Sequence, residues 1–222
     1  MSLIFDKLLQ HASEFQTILN TLDRSDEVHD FPWDNLVYTS KYIRRAHLDI
    51  VDKREDRKLL MMHLCVFPHT DSDAPIYGFD LIAGPNKVTG AFHDFSPCTN
   101  NNSSHPLSEL FAGEVKKYSW SKQRELPEWA KKIFSPWMVA AGNIKDIDEL
   151  SEVLELSKNN LISYIEWMKT NYATSDQDYT QQQNNYCINQ KQNPHTPRVM
   201  ESLGYDPDTV QKFIQNCLFP EV

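Results

Sequence analysis

With 222 residues, a formal net charge of −9 and a pI of about 5.3, the chain is acidic, so nucleic acid and anionic membranes are poor partners. Six glycines without a GxGxxG or GxxxxGK pattern argue against a nucleotide or flavin held by a glycine-rich loop. The four cysteines lie far apart without a CxxC pair, which predicts neither a metal site nor a disulfide framework. We expect one cytoplasmic domain over residues 1–222, because we find no signal peptide and no run of about 18 apolar residues.

The hydrophobic pattern predicts helices at both ends of the chain and strands between them. Residues 4–22 place apolar side chains on one helical stripe. Four strand patterns follow, separated by turn signals, over residues 35–52, 57–67, 76–83 and 87–95. The remaining patterns predict a helix over 108–118, a short helix and a strand within 124–142, a long helix over 145–172, and a last helix that begins at Asp206–Pro207. This order predicts a largely antiparallel sheet covered by helices.

The hairpin "HLDIVDKREDRKLLMMHLCVFP", residues 47–68, carries ionisable residues within apolar strands. A three-residue turn over 54–56 pairs His47 with His63 and Asp49 with Met61, and it leaves the other face continuously apolar. We prefer this turn because a two- or four-residue turn would place His63 on the apolar face. The resulting face, half apolar and half ionisable, is typical of a covered pocket, with a solvent-exposed face as the alternative.

Asp80 lies inside the next apolar strand pattern, "APIYGFDLIAG". Aspartate is depleted in strands and costly to bury in its ionised form, so burial would raise its pKa and leave a proton available near neutral pH. A structural aspartate bonded to backbone amides is the alternative. The nearby histidines favour acid–base chemistry, and we identify Asp80, His63, Asp49 and His47 as the candidate catalytic residues.

Seven segments in chain order resemble the ferredoxin-dependent bilin reductase family from about Tyr38 to Pro220. They are "RRAHLDI", "HLCVFP", "APIYGFDLIAGP", "FHDFSP", "QRELPEWAKKIFSP", "YCINQKQNPHTPRVM" and "CLFP". The resemblance implies a three-layer α/β/α sandwich with a central, mostly antiparallel sheet. It implies a pocket between the sheet and the C-terminal helices for a linear tetrapyrrole, biliverdin IXα. It also implies no metal or organic cofactor: electrons come singly from reduced 2Fe–2S ferredoxin, and the reaction passes through bilin radicals.

The resemblance assigns roles to individual residues of this chain. Asp80 matches the central proton donor, His63 its histidine partner, and His47 a histidine that contacts the D-ring end. Asp49 stands where the phycocyanobilin-forming members have Glu. The implied substrate-binding positions are those of two propionate contacts, a pocket asparagine and a basic position after it: Arg124, Thr89, Asn193 and His195.

Two departures from the family pattern bear on the product. Replacing Glu by Asp49 withdraws the carboxyl by about 1.5 Å, one C–C bond length, and can silence a proton donor to the D-ring vinyl group. In addition, Pro194 replaces the aspartate that follows Asn193 in the family. We therefore predict a four-electron reduction of biliverdin IXα to phycoerythrobilin by way of 15,16-dihydrobiliverdin. The alternatives are phycocyanobilin formation, a non-catalytic bilin carrier, or a chlorophyll-catabolite reductase of related fold.

Transient docking of an acidic ferredoxin to this acidic chain needs a local basic surface. We name the lysine stretch the set formed by Lys116, Lys117, Lys122, Lys131 and Lys132, and we predict that it docks ferredoxin. Arg44 with Arg45, and the charged turn between residues 53 and 58, are the competing surfaces. We expect a monomer in a cyanobacterial cell, an algal plastid or a phage-infected bacterium.

Overall fold

A single seven-stranded sheet organises the computed structural model, which describes residues 2–27, 29–99, 105–174 and 176–222. The strands lie side by side in chain order, and each is antiparallel to its neighbours. Their bounds are β1 Asp23–Arg24, β2 Asp34–Thr39, β3 Ile43–Lys53, β4 Leu59–Pro68, β5 Ile76–Gly84, β6 Lys87–Ser96 and β7 Val139–Ile144. The predicted antiparallel sheet is confirmed, although the pattern over 35–52 divides into two strands at a turn over 40–42.

Helices cover both faces of the sheet, which confirms the three-layer α/β/α sandwich. Their bounds are α1 Leu3–Leu19, α2 Pro106–Val115, α3 Glu128–Lys131, α4 Ile147–Asn171, α5 Thr180–Gln190, α6 His195–Ser202 and α7 Pro207–Phe213, which continues into a π-helical turn, Ile214–Leu218. Side chains from α1, α2 and α4 pack on the apolar face of the sheet. Side chains from α5, α6 and α7 pack over the opposite face, which we call the pocket face.

The hairpin between β3 and β4 has the predicted faces but not the predicted register. Its loop holds five residues, 54–58, so Asp49 pairs with His63 and His47 pairs with Cys65. The three-residue turn was therefore wrong by two residues. Lys58 closes the longer loop with φ of 54°, a left-handed conformation that sequence patterns do not reveal for lysine. A shift of two residues preserves the side-chain alternation, so His47, Asp49 and His63 still share the pocket face.

The C-terminal third of the chain contains two helices that the hydrophobic pattern did not predict. They are α5, Thr180–Gln190, and α6, which begins directly after Pro194. The last helix starts as predicted, because the Asp206 side chain accepts a hydrogen bond from the Thr209 amide at 2.9 Å and Pro207 occupies the first turn. Among the described residues, no helix is long and apolar enough to cross a membrane.

Candidate functional site

A line of side chains crosses the pocket face from β2 to β6. Its members are direct partners on successive strands: Asn35, Asp49, His63, Asp80 and Phe92. Directly opposite residues of antiparallel strands have Cβ atoms about 4.5–5.5 Å apart, so each carboxyl of this line is adjacent to His63. The sheet register alone therefore brings the three central ionisable groups together.

A cavity of about 400 Å³ lies between this face and the helices above it. Asp49, His63 and Asp80 form part of its floor. Thr89, Arg124, Asn193 and His195, to which the family resemblance assigns substrate binding, line it as well. The apolar part of the lining comes mainly from the covering helices and the chain end: Trp129, Phe134, Met200, Phe213, Leu218 and Phe219. An apolar cavity with few convergent polar groups is typical of a site for a largely apolar organic ligand.

Burial raises the pKa of both carboxyl groups on the floor, which shifts them towards their protonated forms. Burial raises the pKa of Asp80 to about 6, although the neighbouring His63 opposes the shift. Burial also raises the pKa of Asp49, again opposed by His63, whose Nδ1 lies 3.3 Å from Asp49 Oδ1. A pKa near 6 leaves about a tenth of the Asp80 carboxyls protonated at neutral pH, far more than for an ordinary aspartate. The arrangement can therefore deliver protons to a ligand above the sheet.

His47 is completely buried and does not line the cavity. Its Nε2 lies 3.1 Å from Asn35 Oδ1, and the Asn35 amide is oriented because its Nδ2 donates to the Trp33 carbonyl at 3.1 Å. Nε2 of His47 therefore carries the proton and donates it to Asn35. Burial lowers the pKa of His47 well below its usual value, with the nearby Arg45 as a further cause. His47 thus lies behind the floor of the cavity rather than in it.

Arg124 reaches the cavity from outside the sheet edge. Its guanidinium donates to the Thr89 carbonyl at 2.7 Å and lies 5.7 Å from the Phe92 ring centroid. Two glycines that pair across β6 and β7, Gly90 and Gly142, make room for it. A Cβ on Gly142 would lie 2.6 Å from Arg124 Nε, closer than such atoms approach. The guanidinium is thereby fixed at the cavity margin, where it can bind a carboxylate.

The remaining predicted contacts are less directly available to a ligand. The Thr89 hydroxyl already donates to the Ile82 carbonyl at 3.0 Å. Asn193 Oδ1 accepts from the backbone amide of His195 at 3.0 Å, so this asparagine helps to begin α6. His195 itself is exposed at the cavity margin.

Sequence reasoning missed Asn35 and a third carboxyl of the pocket face, Asp94. Asp94 lines the cavity and accepts hydrogen bonds from the Ser135 amide at 2.9 Å and the Ser96 hydroxyl at 2.8 Å. Burial raises its pKa to about 6, while these hydrogen bonds oppose the shift. Its position inside a strand pattern, within "FHDFSP", was the available signal, as it was for Asp80.

All five members of the lysine stretch are exposed. Lys117 and Lys131 pair with Glu114 and Glu128 at 2.6 Å, and Lys116 lies over the Trp137 ring at 4.3 Å. At the competing surface, the guanidinium groups of Arg44 and Arg45 are directed to partners within the chain, Gln183 at 2.8 Å and Glu27 at 2.8 Å.

Comparison with known protein families matches residues 8–220 to the ferredoxin-dependent bilin reductase family. The phycocyanobilin:ferredoxin oxidoreductase of Prochlorococcus marinus strain MIT 9515 is 28% identical over 190 residues, which are 84% of this chain and 76% of the relative. The enzyme of the same name from Synechococcus strain CC9605 is 31% identical over 190 residues, covering 80% and 71% of the two chains.

Solved structures agree with this assignment. A structure titled PcyX shares 33% sequence identity and a TM-score of 0.70, and the match covers 97% of this chain and 99% of that one. Phytochromobilin synthase from tomato, solved in complex with biliverdin, has a TM-score of 0.71 with coverage of 97% and 82%, but only 14% identity, so it shows the fold alone. The chain belongs to the ferredoxin-dependent bilin reductase family. It is accordingly an oxidoreductase whose electron donor is ferredoxin and whose substrate is a bilin.

Proposed function

We propose that this chain reduces biliverdin IXα to phycoerythrobilin by way of 15,16-dihydrobiliverdin. The conversion adds four electrons, delivered singly by ferredoxin, and four protons, so that each step passes through a protonated bilin radical. The protein then needs only to bind the bilin, orient it and supply protons, because the tetrapyrrole itself accepts the electrons. We further propose that the protein acts as a monomer in transient complexes with ferredoxin, within the cytoplasm or plastid stroma of its host.

The position of Asp49 is the observation that supports this product. Its carboxyl is almost completely buried, with 3% of the residue exposed, and one oxygen lies 3.3 Å from His63 Nδ1. A glutamate at this position would extend about 1.5 Å further into the cavity. Since proton transfer requires hydrogen-bond distance, the shorter side chain leaves the D-ring vinyl group of the bilin without a donor.

Asp80 and His63 supply the protons for the remaining reductions in this proposal. Asp80 lies next to His63 in the sheet, and its pKa of about 6 suits a proton donor that is reprotonated near neutral pH after each transfer. Arg124, held beside Thr89 at the cavity margin, binds a propionate of the bilin through charge-assisted hydrogen bonds. His195, exposed at the same margin, donates a further hydrogen bond to a propionate in this proposal.

The experiment is anaerobic turnover of biliverdin IXα with reduced ferredoxin, with products separated by chromatography and identified by absorbance. We expect phycoerythrobilin from the natural sequence and a shift towards phycocyanobilin from Asp49→Glu. Asp49→Asn is the matched control, because it keeps the side-chain length of the natural residue and should not form phycocyanobilin.

Two outcomes would contradict the proposal. The relatives are named for phycocyanobilin. Formation of that product by the natural sequence would mean that Asp49 does reach the D-ring vinyl group. Biliverdin that binds tightly but is never reduced would identify a carrier. Asp80→Asn then separates a carrier from a reductase, because a carrier binds as before whereas a reductase stalls at an early intermediate.

A further inference from the structure

Three buried ligand-type atoms of the pocket face, Nδ1 of His47, Oδ1 of Asp49 and Nδ1 of His63, make no hydrogen bond of good geometry among the described residues. Asp49 Oδ1 and His63 Nδ1 contact each other at 3.3 Å, whereas His47 Nδ1 has no hydrogen-bond partner in the described part of the chain. An unsatisfied buried polar atom costs about 1–3 kcal/mol, so an unpaired imidazole nitrogen beside this buried pair requires an explanation. His47 is fully buried and Asp49 nearly so, which means that bulk water does not satisfy them.

These three side chains converge because of their positions in the hairpin. His47 and Asp49 are two residues apart on β3, so they point to the same face, and His63 is the direct partner of Asp49 on β4. One ligand atom from each lies within 4.8 Å of the other two. Among the described residues, this is the group of histidine, cysteine and carboxylate side chains that meets that spacing.

The distances approach those of a tetrahedral metal site. Zinc bonds of about 2.0–2.1 Å to nitrogen and oxygen place two ligand atoms about 3.3 Å apart. The separation between His63 Nδ1 and Asp49 Oδ1 is already 3.3 Å. The ligand nitrogen of His47 lies within 4.8 Å of the other two ligand atoms. An inward movement of the His47 ring by up to about 1.5 Å therefore brings this nitrogen to the spacing of a tetrahedral site. A fourth position remains open towards the cavity, which Asp49 and His63 line.

His47 is also prepared for coordination by its other ring nitrogen. Metal-binding histidines usually donate their second N–H to a carbonyl or carboxylate, which fixes the tautomer and leaves the first nitrogen as a lone pair. Here Nε2 donates to Asn35 Oδ1 at 3.1 Å, and Asn35 is held in turn by the Trp33 carbonyl. Nδ1 is therefore the unprotonated atom, and it has no hydrogen-bond partner among the described residues.

We propose that His47, Asp49 and His63 form a binding site for one divalent transition-metal ion of zinc-like chemistry in the bilin-free protein. Two imidazoles and one carboxylate suit Zn²⁺ or Co²⁺, whereas Mg²⁺ and Ca²⁺ prefer oxygen ligands. Binding of this ion is a property separate from the reductase activity, and the ion is not a cofactor of the reaction. Nothing in the proposal requires a redox change at the metal.

The test is a titration of the untagged, bilin-free protein with Co²⁺, followed by d–d absorption, with Zn²⁺ displacing the signal. We expect saturation near one equivalent. Asp49→Asn and His63→Gln should each weaken Co²⁺ binding by at least about tenfold. Asp94→Asn is the matched control: it makes the same kind of change on β6, two strands from His63 and bonded to Ser135 and Ser96 instead, and should leave Co²⁺ binding unaltered. Circular dichroism verifies that each variant is folded.

Cysteine ligation is the alternative that the spectrum distinguishes. Cys217 Sγ lies 3.6 Å from His47 Nε2, on the ring nitrogen that does not coordinate in the proposed site. A thiolate ligand would add an intense charge-transfer band, and Cys217→Ala would abolish it. That result would overturn the proposed ligand set, as would the absence of saturable binding or an unchanged affinity in both Asp49→Asn and His63→Gln.

One consequence rests on the proposed function. If Asp49 and His63 are the groups that contact the bilin, one equivalent of Zn²⁺ should raise the apparent Kd for biliverdin, and the effect should be absent in Asp49→Asn. Metal binding without this competition would leave the metal site intact and count against the proposed placement of the bilin. Competition without reduction would instead count against the reductase proposal alone.

Discussion

Asp80 is a carboxyl group that the fold removes from bulk water while leaving it on the floor of a cavity. Its neighbours along the strand are apolar on both sides. The side chain that can compensate its charge is His63, its direct partner on the adjacent strand. The result is a raised pKa, with burial as the main cause. The same group that suits proton donation therefore destabilises the ligand-free protein whenever it is ionised.

This trade-off predicts how Asp80→Asn changes stability with pH. Because the folded-state pKa of about 6 exceeds the unfolded value of 3.8, the folded protein binds more protons between these values, so stability falls as the pH rises from about 4 to about 6 and levels off above that. Asp80→Asn removes this penalty. We expect its free energy of unfolding, relative to the natural sequence, to rise by about 1 kcal/mol from pH 5 to pH 8. Urea unfolding at the two pH values measures the difference, and a difference that shrinks as the pH rises would contradict the raised pKa.

Asn35 has no titratable group, yet it determines which nitrogen of His47 carries the proton. We expect Asn35→Asp to raise the pKa of His47, because a carboxylate beside Nε2 stabilises the imidazolium form. NMR titration of the His47 ring carbons measures this pKa. Asn35→Ala is the control, since it removes the acceptor without adding charge. A His47 ring that remains neutral throughout the titration of Asn35→Asp would show that the contact does not govern its protonation.

At the scale of secondary-structure elements, the pairing of β6 with β7 positions Arg124. Gly90 and Gly142 are direct partners, and together they leave a trough that the arginine side chain crosses. The backbone of residues 122–124 follows the edge of β7, where the Arg124 amide donates to the Ala140 carbonyl at 2.8 Å. The guanidinium is therefore held by sheet structure at both ends of its side chain.

Gly142→Ala should disturb this arrangement without disturbing the proton donors. Its Cβ would lie 2.6 Å from Arg124 Nε, so the arginine must leave the trough and its contact with the Thr89 carbonyl. The displaced guanidinium would then lose its charged hydrogen bond to a bilin propionate, worth about 1.5–3 kcal/mol, which should weaken biliverdin binding by about tenfold or more with little change in kcat.

Gly113→Ala is the matched control for this substitution. Gly113 lies in α2, and a Cβ there would meet nothing within 4 Å. Alanine in a helix interior should stabilise the protein by about 0.5–1 kcal/mol and leave bilin affinity unchanged. Equal bilin affinities of Gly142→Ala and the natural sequence would mean that Arg124 does not hold the substrate. Fluorescence or absorbance titration with biliverdin provides the comparison.

Alternating patterns were enough to predict the strands and their faces, because a period of two places His47, Asp49 and His63 together whatever the odd-numbered length of the loop. They were not enough for the register. A five-residue loop depends on Lys58 adopting a positive φ and on Asp52 bonding the Arg54 amide at 3.1 Å, neither of which local composition predicts. Asn35 was missed for a similar reason: its role arises from pairing with Asp49 and His47 across β2 and β3.

At the scale of the whole molecule, the lysine stretch borders the β7 edge of the sheet, next to the cavity margin. The backbone carbonyl of Lys122 accepts a hydrogen bond from the Gly142 amide, and Lys132 caps the C-terminal end of the short helix α3. In the described part of the chain, Lys116, Lys122 and Lys132 have no acidic partner within ion-pair distance, unlike the other two members. These three are therefore the charges that remain free to attract an acidic ferredoxin.

Charge reversal of Lys116, Lys122 and Lys132 to Glu should raise the KM for ferredoxin by at least about tenfold at low ionic strength, and added salt should reduce the difference. Biliverdin affinity should stay constant, because none of the three lines the cavity. Steady-state kinetics at several salt concentrations measures both effects.

The control makes the same change of charge elsewhere, at Lys41, Lys169 and Lys212, which are exposed in the β2–β3 turn, the end of α4 and α7. An equal rise in KM for the control variant would show that net charge, rather than a docking surface on the lysine stretch, governs the encounter.

The strictly sequential strand order has a consequence for how the protein is made. Each strand from β2 to β6 pairs with the strand synthesised just before it, so loop closure costs little entropy and the sheet can assemble progressively as the chain leaves the ribosome. The row from Asn35 to Phe92 would then exist before residues 180–222, which cover it, have been translated. Nascent chains should therefore display an open bilin-binding face, and substrate present in the cell could bind there and be enclosed as the last helices fold.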